Sequence, residues 1–348
     1  MKPFISVILP CRNEVRSLAR CLDSILASSY PADSMEVLVA DGLSEDGSRA
    51  VLEGFAAKDA RVVILDNLSL ITPAALNLCI RAARGQYILR VDAHSVIGPN
   101  YIAVLIDFLA AHPDAWGAGG RMFTLPEAHS MFSKCISIVL SHRFGVGNSG
   151  FRTSGAIAEP QSVDTVFNCC WRREVFDRVG LFHERLIRSQ DIELSARIAR
   201  AGGTLWLVPG ADTTYFAKVD FLPYLSHNWL NGIWSVVPAI YLSRLPVRWR
   251  HLIPLAFVAK LTVSLAGALL WRIWWLPVLP LGPYAVLNLA FSGRLAVQHR
   301  SLKLAVLLPI TFAGLHFAYG AGSLWGALRL AVHRLRRVSL VPVQETNS

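Results

Sequence analysis

Three long apolar runs near the end of the chain constrain its fold more than any other feature of the sequence. They cover residues 251–271, 273–291 and 304–328, and each is close to the ~20 residues that a helix needs to cross a lipid bilayer. The charges are just as uneven, because residues 244–348 contain twelve Lys and Arg residues and a single acidic one. We therefore predict a membrane domain over residues 244–348 and a separate domain over residues 1–243.

The charge pattern also indicates what the chain contacts. The length of the runs and the scarcity of acids among them disfavour the alternative of buried helices in a large soluble core. Basic residues beside such runs follow the positive-inside bias, so the net charge of +10 predicts contact with membrane lipids and not with nucleic acid. Residues 4–9 are too short an apolar segment for a secretory signal. We expect residues 1–243 to lie in the cytoplasm.

The number of membrane crossings stays open between two and three. Basic residues lie both before and after the third run, so three crossings would leave one basic cluster outside. Pro309 and four glycines in that run permit a re-entrant or interfacial path, which favours two crossings. Lys260, inside the first run, either extends to the membrane interface or faces the phosphates of a lipid carrier.

The first hundred residues alternate between strand and helix patterns. The predicted strands are 5–9, 36–40, 61–65 and 86–91, and the predicted helices are 17–27, 48–57 and 73–83. This order predicts an α/β fold with a mostly parallel sheet covered on both faces. Ligands of such sheets bind beyond the carboxyl ends of the strands. Polar clusters follow three of these strands, at residues 12–14, 41–42 and 92–94, so we predict the site at this edge.

The turn after the first strand excludes two common nucleotide-binding motifs. Residues 9–14 contain no glycine, whereas dinucleotide-binding and P-loop turns both need glycines there. Phosphates must then be held in another way. Asp92 and His94 are alternate residues at a strand end, and together they could bind one divalent metal ion. The alternative is a plain strand-end turn that happens to contain a histidine.

Beyond these patterns, several segments resemble the successive signatures of family 2 glycosyltransferases with the GT-A fold. They are residues 5–10 (ISVILP) with 13–14 (NE), 39–48 (VADGLSEDGS), 83–88 (ARGQYI), 92–94 (DAH), 164–166 (DTV), 171–184 (WRREVFDRVGLFHE) and 190–194 (QDIEL). The resemblance covers roughly residues 4–235. With the apolar tail, it is strongest to the membrane-bound glucosyltransferases of succinoglycan-type exopolysaccharide assembly.

The resemblance implies a role for each motif residue. It implies that Asp191 is the catalytic base that removes the proton of an acceptor hydroxyl, and that Asp92 and His94 hold the metal. The implied donor-binding residues are Pro10, Asn13, Glu14, Asp41 and Asp92, with Asp41 at the uracil ring and Glu14 near the base and ribose. The implied acceptor and sugar pocket contains Asp164, Gln190, Glu193 and Trp234. Two alternatives stay open: Asp41 could merely cap a turn, and Glu193 could lie on a solvated helix face.

Two departures from the family pattern modify this expectation. The usual metal motif is Asp-x-Asp, and His94 replaces its second acid; because imidazole is a softer ligand, the pair favours Mn²⁺ over Mg²⁺. The Gln-x-x-Arg-Trp motif of processive members has no counterpart, the nearest feature being residues 227–234 (HNWLNGIW). We therefore expect one sugar per acceptor.

The implied function is an inverting, membrane-anchored glycosyltransferase. The expected donor is a nucleotide sugar, with UDP-glucose implied by the resemblance, and the expected acceptor is a polyprenyl-diphosphate-linked oligosaccharide. A polyprenyl-phosphate sugar synthase, whose phosphate acceptor needs no base, and a catalytically silent membrane scaffold of the same fold are the alternatives. The glycine-rich segment 145–150 is either a loop that closes on substrate or a surface linker.

Overall fold

The computed structural model describes residues 2–127, 130–153, 155, 157–217, 220–242 and 245–338. These residues fall into two compact units. The first contains the described residues up to 127 and from 140 to 217, and the second contains residues 130–139 and those from 220 onward. The division differs from the predicted boundary at 243, because residues 130–139 and 220–242 belong with the C-terminal helices.

The secondary structure follows one chain order through both units. The elements are β1 (Ile5–Cys11), α1 (Val15–Leu26), β2 (Met35–Asp41), α2 (Ser48–Ala56), β3 (Val62–Asp66), α3 (Thr72–Ala82), β4 (Tyr87–Arg90), β5 (Ser95–Ile97), α4 (Tyr101–Ala111), β6 (Ala115–Pro126), α5 (Met131–Leu140), α6 (Arg143–Val146), α7 (Gly150–Thr153), β7 (Gln161–Val163), β8 (Phe167–Arg172), α8 (Glu174–Val179), α9 (Gln190–Arg200), β9 (Thr204–Ala217), α10 (Phe221–Val236), α11 (Ile253–Trp271), α12 (Val278–Gln298) and α13 (Leu302–Val338). The predicted strands and helices of the first hundred residues are confirmed within about two residues at each end.

The nine strands form one sheet in the order β3-β2-β1-β4-β8-β6-β9-β5, with β7 paired to β9. The first four strands are parallel, as the alternating pattern predicts. Beyond β4 the sheet is mixed, because β8 runs antiparallel to both of its neighbours. The carboxyl ends of β1, β2 and β4 therefore share one edge, where the polar clusters follow.

Both faces of this sheet are covered by helices, as the β1 and β2 side chains show. Val7 and Val37 pack into a core that includes α1 and α4 residues such as Leu18 and Leu105. Ile8, the next residue along β1, packs on the opposite face among α3 and α9 residues. Because successive side chains of a strand point to opposite faces, a strand buried on both sides is continuously apolar.

In the second unit, α10 packs along α13. Tyr224 Oη donates a hydrogen bond of 3.3 Å to the Thr311 carbonyl, and the hydroxyls of Ser235 and Ser323 lie 3.1 Å apart. A Cβ atom added to Gly232 would lie 2.0 Å from the carbonyl oxygen of Tyr319. The two backbones therefore approach too closely for any larger residue at that position.

The predicted irregular path over residues 304–328 is wrong. This run lies within α13, a continuous helix of 37 residues that includes Pro309. Its glycines serve helix packing instead: a Cβ atom on Gly320 would lie 2.4 Å from the Pro254 carbonyl oxygen of α11, and one on Gly322 would lie 2.1 Å from the Trp229 carbonyl oxygen of α10. Small residues at such contacts allow helix backbones to approach each other.

Two described helical segments are long and apolar enough to cross a membrane, Trp249–Trp271 and Leu302–Leu335, judged by length and composition alone. The middle run forms α12, which contains Pro283. Because α11 begins at Ile253, Lys260 lies about 10 Å along the helix from its start. The Lys260 side chain is exposed on the second unit.

Candidate active site

The loops after β1 and β2 are held together through Asn13 and Glu14. The backbone N–H of Asn13 donates to Ser44 Oγ (2.9 Å), and the N–H of Glu45 donates to Asn13 Oδ1 (3.0 Å). The N–H of Glu14 donates to Ser48 Oγ (2.8 Å). Asn13 has a φ of +55°, a left-handed conformation that Asn tolerates better than most residues. The structure thus brings two of the three predicted polar clusters together.

Asp41, at the end of β2, is buried. Its Oδ1 accepts hydrogen bonds from the Ser44 hydroxyl (2.6 Å) and the Ser44 N–H (3.3 Å), and Nη1 of Arg49 lies 3.6 Å from Oδ2. These contacts are those of a turn-capping aspartate. The role at a uracil ring stays a prediction. Pro10, one of the implied donor-binding residues, pairs in register with Ala40 inside the sheet.

Asp92 lies just after β4, and its carboxylate is held by an ion pair. Arg90 Nε donates to Asp92 Oδ1 at 2.8 Å, and the backbone N–H of Asp92 donates to Asn168 Oδ1 at 3.1 Å. Burial acts to raise the pKa of Asp92, but the charges of Arg90 and His94 outweigh it, and the net pKa is lowered. The carboxylate is therefore ionised at neutral pH.

His94 connects the third polar cluster to the first. Its Nδ1 lies 3.2 Å from Glu14 Oε1, and its ring meets the ring of Tyr215 edge to face, with 5.3 Å between the centroids. Glu14 Oε2 in turn accepts a hydrogen bond from Ser17 Oγ at 2.9 Å. A carboxylate at one imidazole nitrogen fixes the orientation of the ring and determines which nitrogen carries the proton.

Asp191 lies in the first turn of α9, a position that favours a negative charge. Burial acts to lower the pKa values of Arg90 and Arg152 and the charge of Asp191 opposes it at both, so that the net pKa is raised for Arg90 and lowered for Arg152. The neighbouring Gln190 is buried, and its Oε1 has no hydrogen-bond partner among the described residues.

Glu193 is not on a solvated helix face. It is buried, and its two carboxylate oxygens accept hydrogen bonds from Nε (2.7 Å) and Nη2 (2.8 Å) of Arg197. Arg197 also donates to the carbonyls of Val179, Gly180 and Leu181. The pair holds the end of α8 against α9, and these contacts are structural.

The remaining predicted residues lie apart from this cluster along the chain. Asp164 is in the segment between β7 and β8, within the first unit. Trp234 lies on α10, within the second unit. Their assignment to an acceptor and sugar pocket stays a prediction.

Three further residues shape the site and are not evident from the motifs. Asn168 Nδ2 donates to Ser95 Oγ (3.0 Å) and Thr213 Oγ1 (3.2 Å), while its Oδ1 accepts from Asp92. Tyr215 packs on His94. For Arg90 a signal did exist, because it precedes Asp92 by two residues and alternate strand positions share a face; Asn168 and Tyr215 reach the site only through sheet pairing.

Residues 6–180, just over half of the chain, match the sequence model of glycosyl transferase family 2. The chain belongs to this family. It is therefore a family 2 glycosyltransferase, and the sheet and motif order described above are those of its GT-A fold.

Individual relatives agree with this assignment. This glycosyltransferase is 28% identical over 321 residues to the succinoglycan biosynthesis protein ExoA of Rhizobium meliloti, covering 91% of this chain and 92% of that protein. It is 24% identical over 204 residues to the glycosyltransferase AglE of Haloferax volcanii, covering 58% and 64% of the two chains.

Among solved structures, the mannosyltransferase PcManGT of Pyrobaculum calidifontis, in complex with GDP-Man and Mn²⁺, superposes with a TM-score of 0.59. The sequence identity is 19%, and the superposition covers 93% of this chain and 88% of that one. At this identity the likeness establishes the fold alone.

Proposed function

We propose that this enzyme transfers one glucose residue from UDP-glucose, with inversion, to a hydroxyl of a polyprenyl-diphosphate-linked oligosaccharide in exopolysaccharide biosynthesis. The observation that carries the proposal is the arrangement after β4, where Asp92 pairs with Arg90 at 2.8 Å and His94 Nδ1 lies 3.2 Å from Glu14 Oε1. These contacts orient an oxygen ligand and a nitrogen ligand at the sheet edge where ligands of such folds bind.

The donor set at this edge fits a divalent metal ion that is bound together with its substrate. No group of three or more His, Cys, Asp or Glu side chains suited to a metal occurs within the described part of the chain. Asp92 and His94 supply an oxygen and a nitrogen ligand, and hard divalent ions with so few protein ligands complete their shells with water and substrate phosphates. Mixed oxygen and imidazole ligands suit Mn²⁺.

Glu14 supports this assignment. When its carboxylate accepts a hydrogen bond from His94 Nδ1, the ring is in the tautomer that carries its lone pair on Nε2, the form in which a histidine ligates a metal. When bound, the ion would offset the negative charge that develops on the departing diphosphate.

Asp191 is the base in this proposal. The acceptor hydroxyl transfers its proton to the Asp191 carboxylate as its oxygen bonds to the anomeric carbon of the sugar, and the bond from that carbon to the diphosphate breaks. A single displacement of this kind inverts the anomeric centre, so an α-linked nucleotide sugar yields a β-glycoside. The Arg90 guanidinium, which pairs with Asp92 at 2.8 Å, lowers the pKa of that carboxyl and favours its ionised form.

Two comparisons support the substrate class. PcManGT, which shares the fold, binds GDP-Man and Mn²⁺, a nucleoside-diphosphate sugar with a divalent metal. The relative from Rhizobium meliloti, matched over nearly its whole length, is a succinoglycan biosynthesis protein. The glucose donor and the lipid-linked acceptor follow from the motif resemblance to succinoglycan-type glucosyltransferases.

The proposed location is the bacterial inner membrane, with the first unit in the cytoplasm. The two apolar helical segments Trp249–Trp271 and Leu302–Leu335 support two crossings. Trp271, the last residue of α11, and Trp274 and Trp275 just after it have exposed fractions of 60–69%, and tryptophans of this kind collect at membrane interfaces. A reporter fused after Arg337 tests the topology: a cytoplasmic signal supports two crossings, and an external one requires three.

The function is tested by incubating membranes that contain the enzyme with a panel of radiolabelled nucleotide sugars and Mn²⁺, followed by extraction of lipids. Label from UDP-glucose in a lipid-linked oligosaccharide, released as a β-glucoside, is the expected result. Label in a polyprenyl-phosphate monosaccharide would contradict the hydroxyl acceptor. If the enzyme neither transfers sugar nor hydrolyses any nucleotide sugar, an enzymatic role for this chain would be contradicted.

A further inference from the structure

Arg152, on α7, is a cation at the site that the motifs do not include. It is half-buried, and its Nη1 atom is buried without a hydrogen-bond partner among the described residues. The ion pairs formed by the described part of the chain do not include it. A guanidinium group held out of water is costly unless an anion or acceptor compensates it.

Aromatic rings hold this guanidinium in place. Its central carbon lies 5.5 Å from the ring centroid of Phe151 and 5.7 Å from that of Tyr215. Phe167 packs against both rings, with 6.3 Å between centroids in each case. Ring faces attract a cation, but they leave the N–H groups of the guanidinium available for an oxygen acceptor.

The position of Arg152 relates it to both halves of the proposed chemistry. The Tyr215 ring, which lies beside the Arg152 guanidinium, also contacts the imidazole of His94. The charge of Asp191 acts on Arg152 as well. Through Tyr215, Arg152 therefore lies close to His94, the proposed metal ligand.

We infer that the guanidinium group of Arg152 binds a diphosphate oxygen. This inference rests on the proposed function, in which the bond from the anomeric carbon to the donor diphosphate breaks and its electron pair stays on the diphosphate oxygen. Arginine suits such an anion because its planar fork donates charge-assisted hydrogen bonds. The donor and the lipid-linked acceptor both carry a diphosphate, so the experiment distinguishes these two sources.

The test uses the full-length enzyme in detergent micelles with Mn²⁺. UDP and uridine are titrated by calorimetry into the wild type, Arg152→Gln and Arg152→Lys, and KM values are measured for donor and lipid acceptor. Arg20→Gln is the matched control, because Arg20 is exposed and stacks on Phe216, the residue after Tyr215, at 3.6 Å from the ring centroid.

If Arg152 binds the donor diphosphate, Arg152→Gln weakens UDP binding by about tenfold to a hundredfold, the usual range for a hydrogen bond to a charged group. Uridine binding is then unchanged, Arg152→Lys is intermediate, and Arg20→Gln matches the wild type. If the diphosphate is that of the lipid carrier, UDP affinity is unchanged and the KM for the acceptor rises instead. Both results support the inference.

Three results would overturn it. Unchanged UDP affinity together with an unchanged acceptor KM in Arg152→Gln would exclude a diphosphate contact. Equal losses of UDP and uridine binding would show that the arginine only supports the fold. A wild-type enzyme that binds no UDP and transfers no sugar would contradict the proposed function itself, a failure visible before any variant is compared.

Discussion

Glu14 Oε1 lies 3.2 Å from His94 Nδ1, and this contact joins the loop after β1 to the loop after β4. The motif resemblance predicts that Glu14 lies near the base and ribose of the donor. In the structure its carboxylate contacts His94, one of the two proposed metal ligands. Two loops separated by about eighty residues are thus joined through this hydrogen bond, and the orientation of the imidazole depends on a glutamate from the loop after β1.

Glu14→Ala is expected to raise the Mn²⁺ concentration needed for half-maximal activity by about 10- to 100-fold, the usual effect of removing the outer partner of a ligating histidine. Mn²⁺ binding in the presence of UDP, followed by electron paramagnetic resonance, gives a readout independent of turnover. Glu14→Gln keeps an acceptor oxygen and is the matched control with a smaller loss. Unaltered Mn²⁺ affinity in Glu14→Ala would show that metal binding does not depend on the Glu14–His94 contact.

His94→Asp is expected to shift the metal preference from Mn²⁺ toward Mg²⁺, because it replaces an imidazole with a harder carboxylate ligand.

Glu193→Gln is expected to lower stability and leave the acceptor KM unchanged. The substitution leaves Arg197 without its buried counter-charge, and breaking such a pair costs about 3–5 kcal/mol; the exposed fractions of the two side chains are 3% and 22%, which places the cost near the lower end. Thermal unfolding of the full-length enzyme measures the loss. A raised acceptor KM at unchanged thermal stability would instead support the acceptor-pocket role that the motif resemblance implies for Glu193.

Gly232→Ala is expected to destabilise the second unit. The added Cβ would lie 2.0 Å from the Tyr319 carbonyl oxygen, so α10 and α13 must separate, at a cost of about 1–3 kcal/mol for overpacking. Gly293→Ala is the control, because no atom lies within 4 Å of its Cβ position in α12. Thermal unfolding in detergent compares the two; equal midpoints would refute close packing of these helices.

Lys260→Met is expected to leave the acceptor and donor KM values unchanged. The lysine side chain is exposed on the second unit, and a lysine about 10 Å inside the helix can extend its amine to the membrane interface. Kinetics in membranes measure both constants. An increase in acceptor KM alone would instead identify Lys260 as a contact of the lipid phosphates.

Local patterns predict much of the first unit. The alternating apolar runs locate β1 to β4 and their helices, and the carboxyl ends of those strands locate the site. The mixed half of the sheet is not predictable in this way, because the antiparallel placement of β8 beside β4 and the pairing of β9 with β5 depend on residues 81 to 120 positions apart. Asn168 and Tyr215 reach the site through this half, so no motif reveals them.

In the C-terminal helices, local patterns predict the wrong backbone conformation for residues 304–328. Glycines and a proline in an apolar run indicate an irregular path when the run is considered alone. In the structure Gly320 and Gly322 instead face the backbones of α11 and α10, and α13 stays helical. Their role depends on partner helices that are distant in sequence, which is why the sequence alone favours the wrong conformation.

In the proposed mechanism, Asp191 removes the proton of an acceptor hydroxyl as the donor diphosphate departs. Single-turnover transfer and UDP affinity are measured together for Asp191→Asn, with Asp164→Asn as a comparison at a second predicted acid. The expected result is a loss of transfer of about 10²- to 10⁴-fold, the contribution of a positioned base, with UDP affinity unchanged. A variant that loses UDP affinity but keeps its single-turnover rate would contradict the claim.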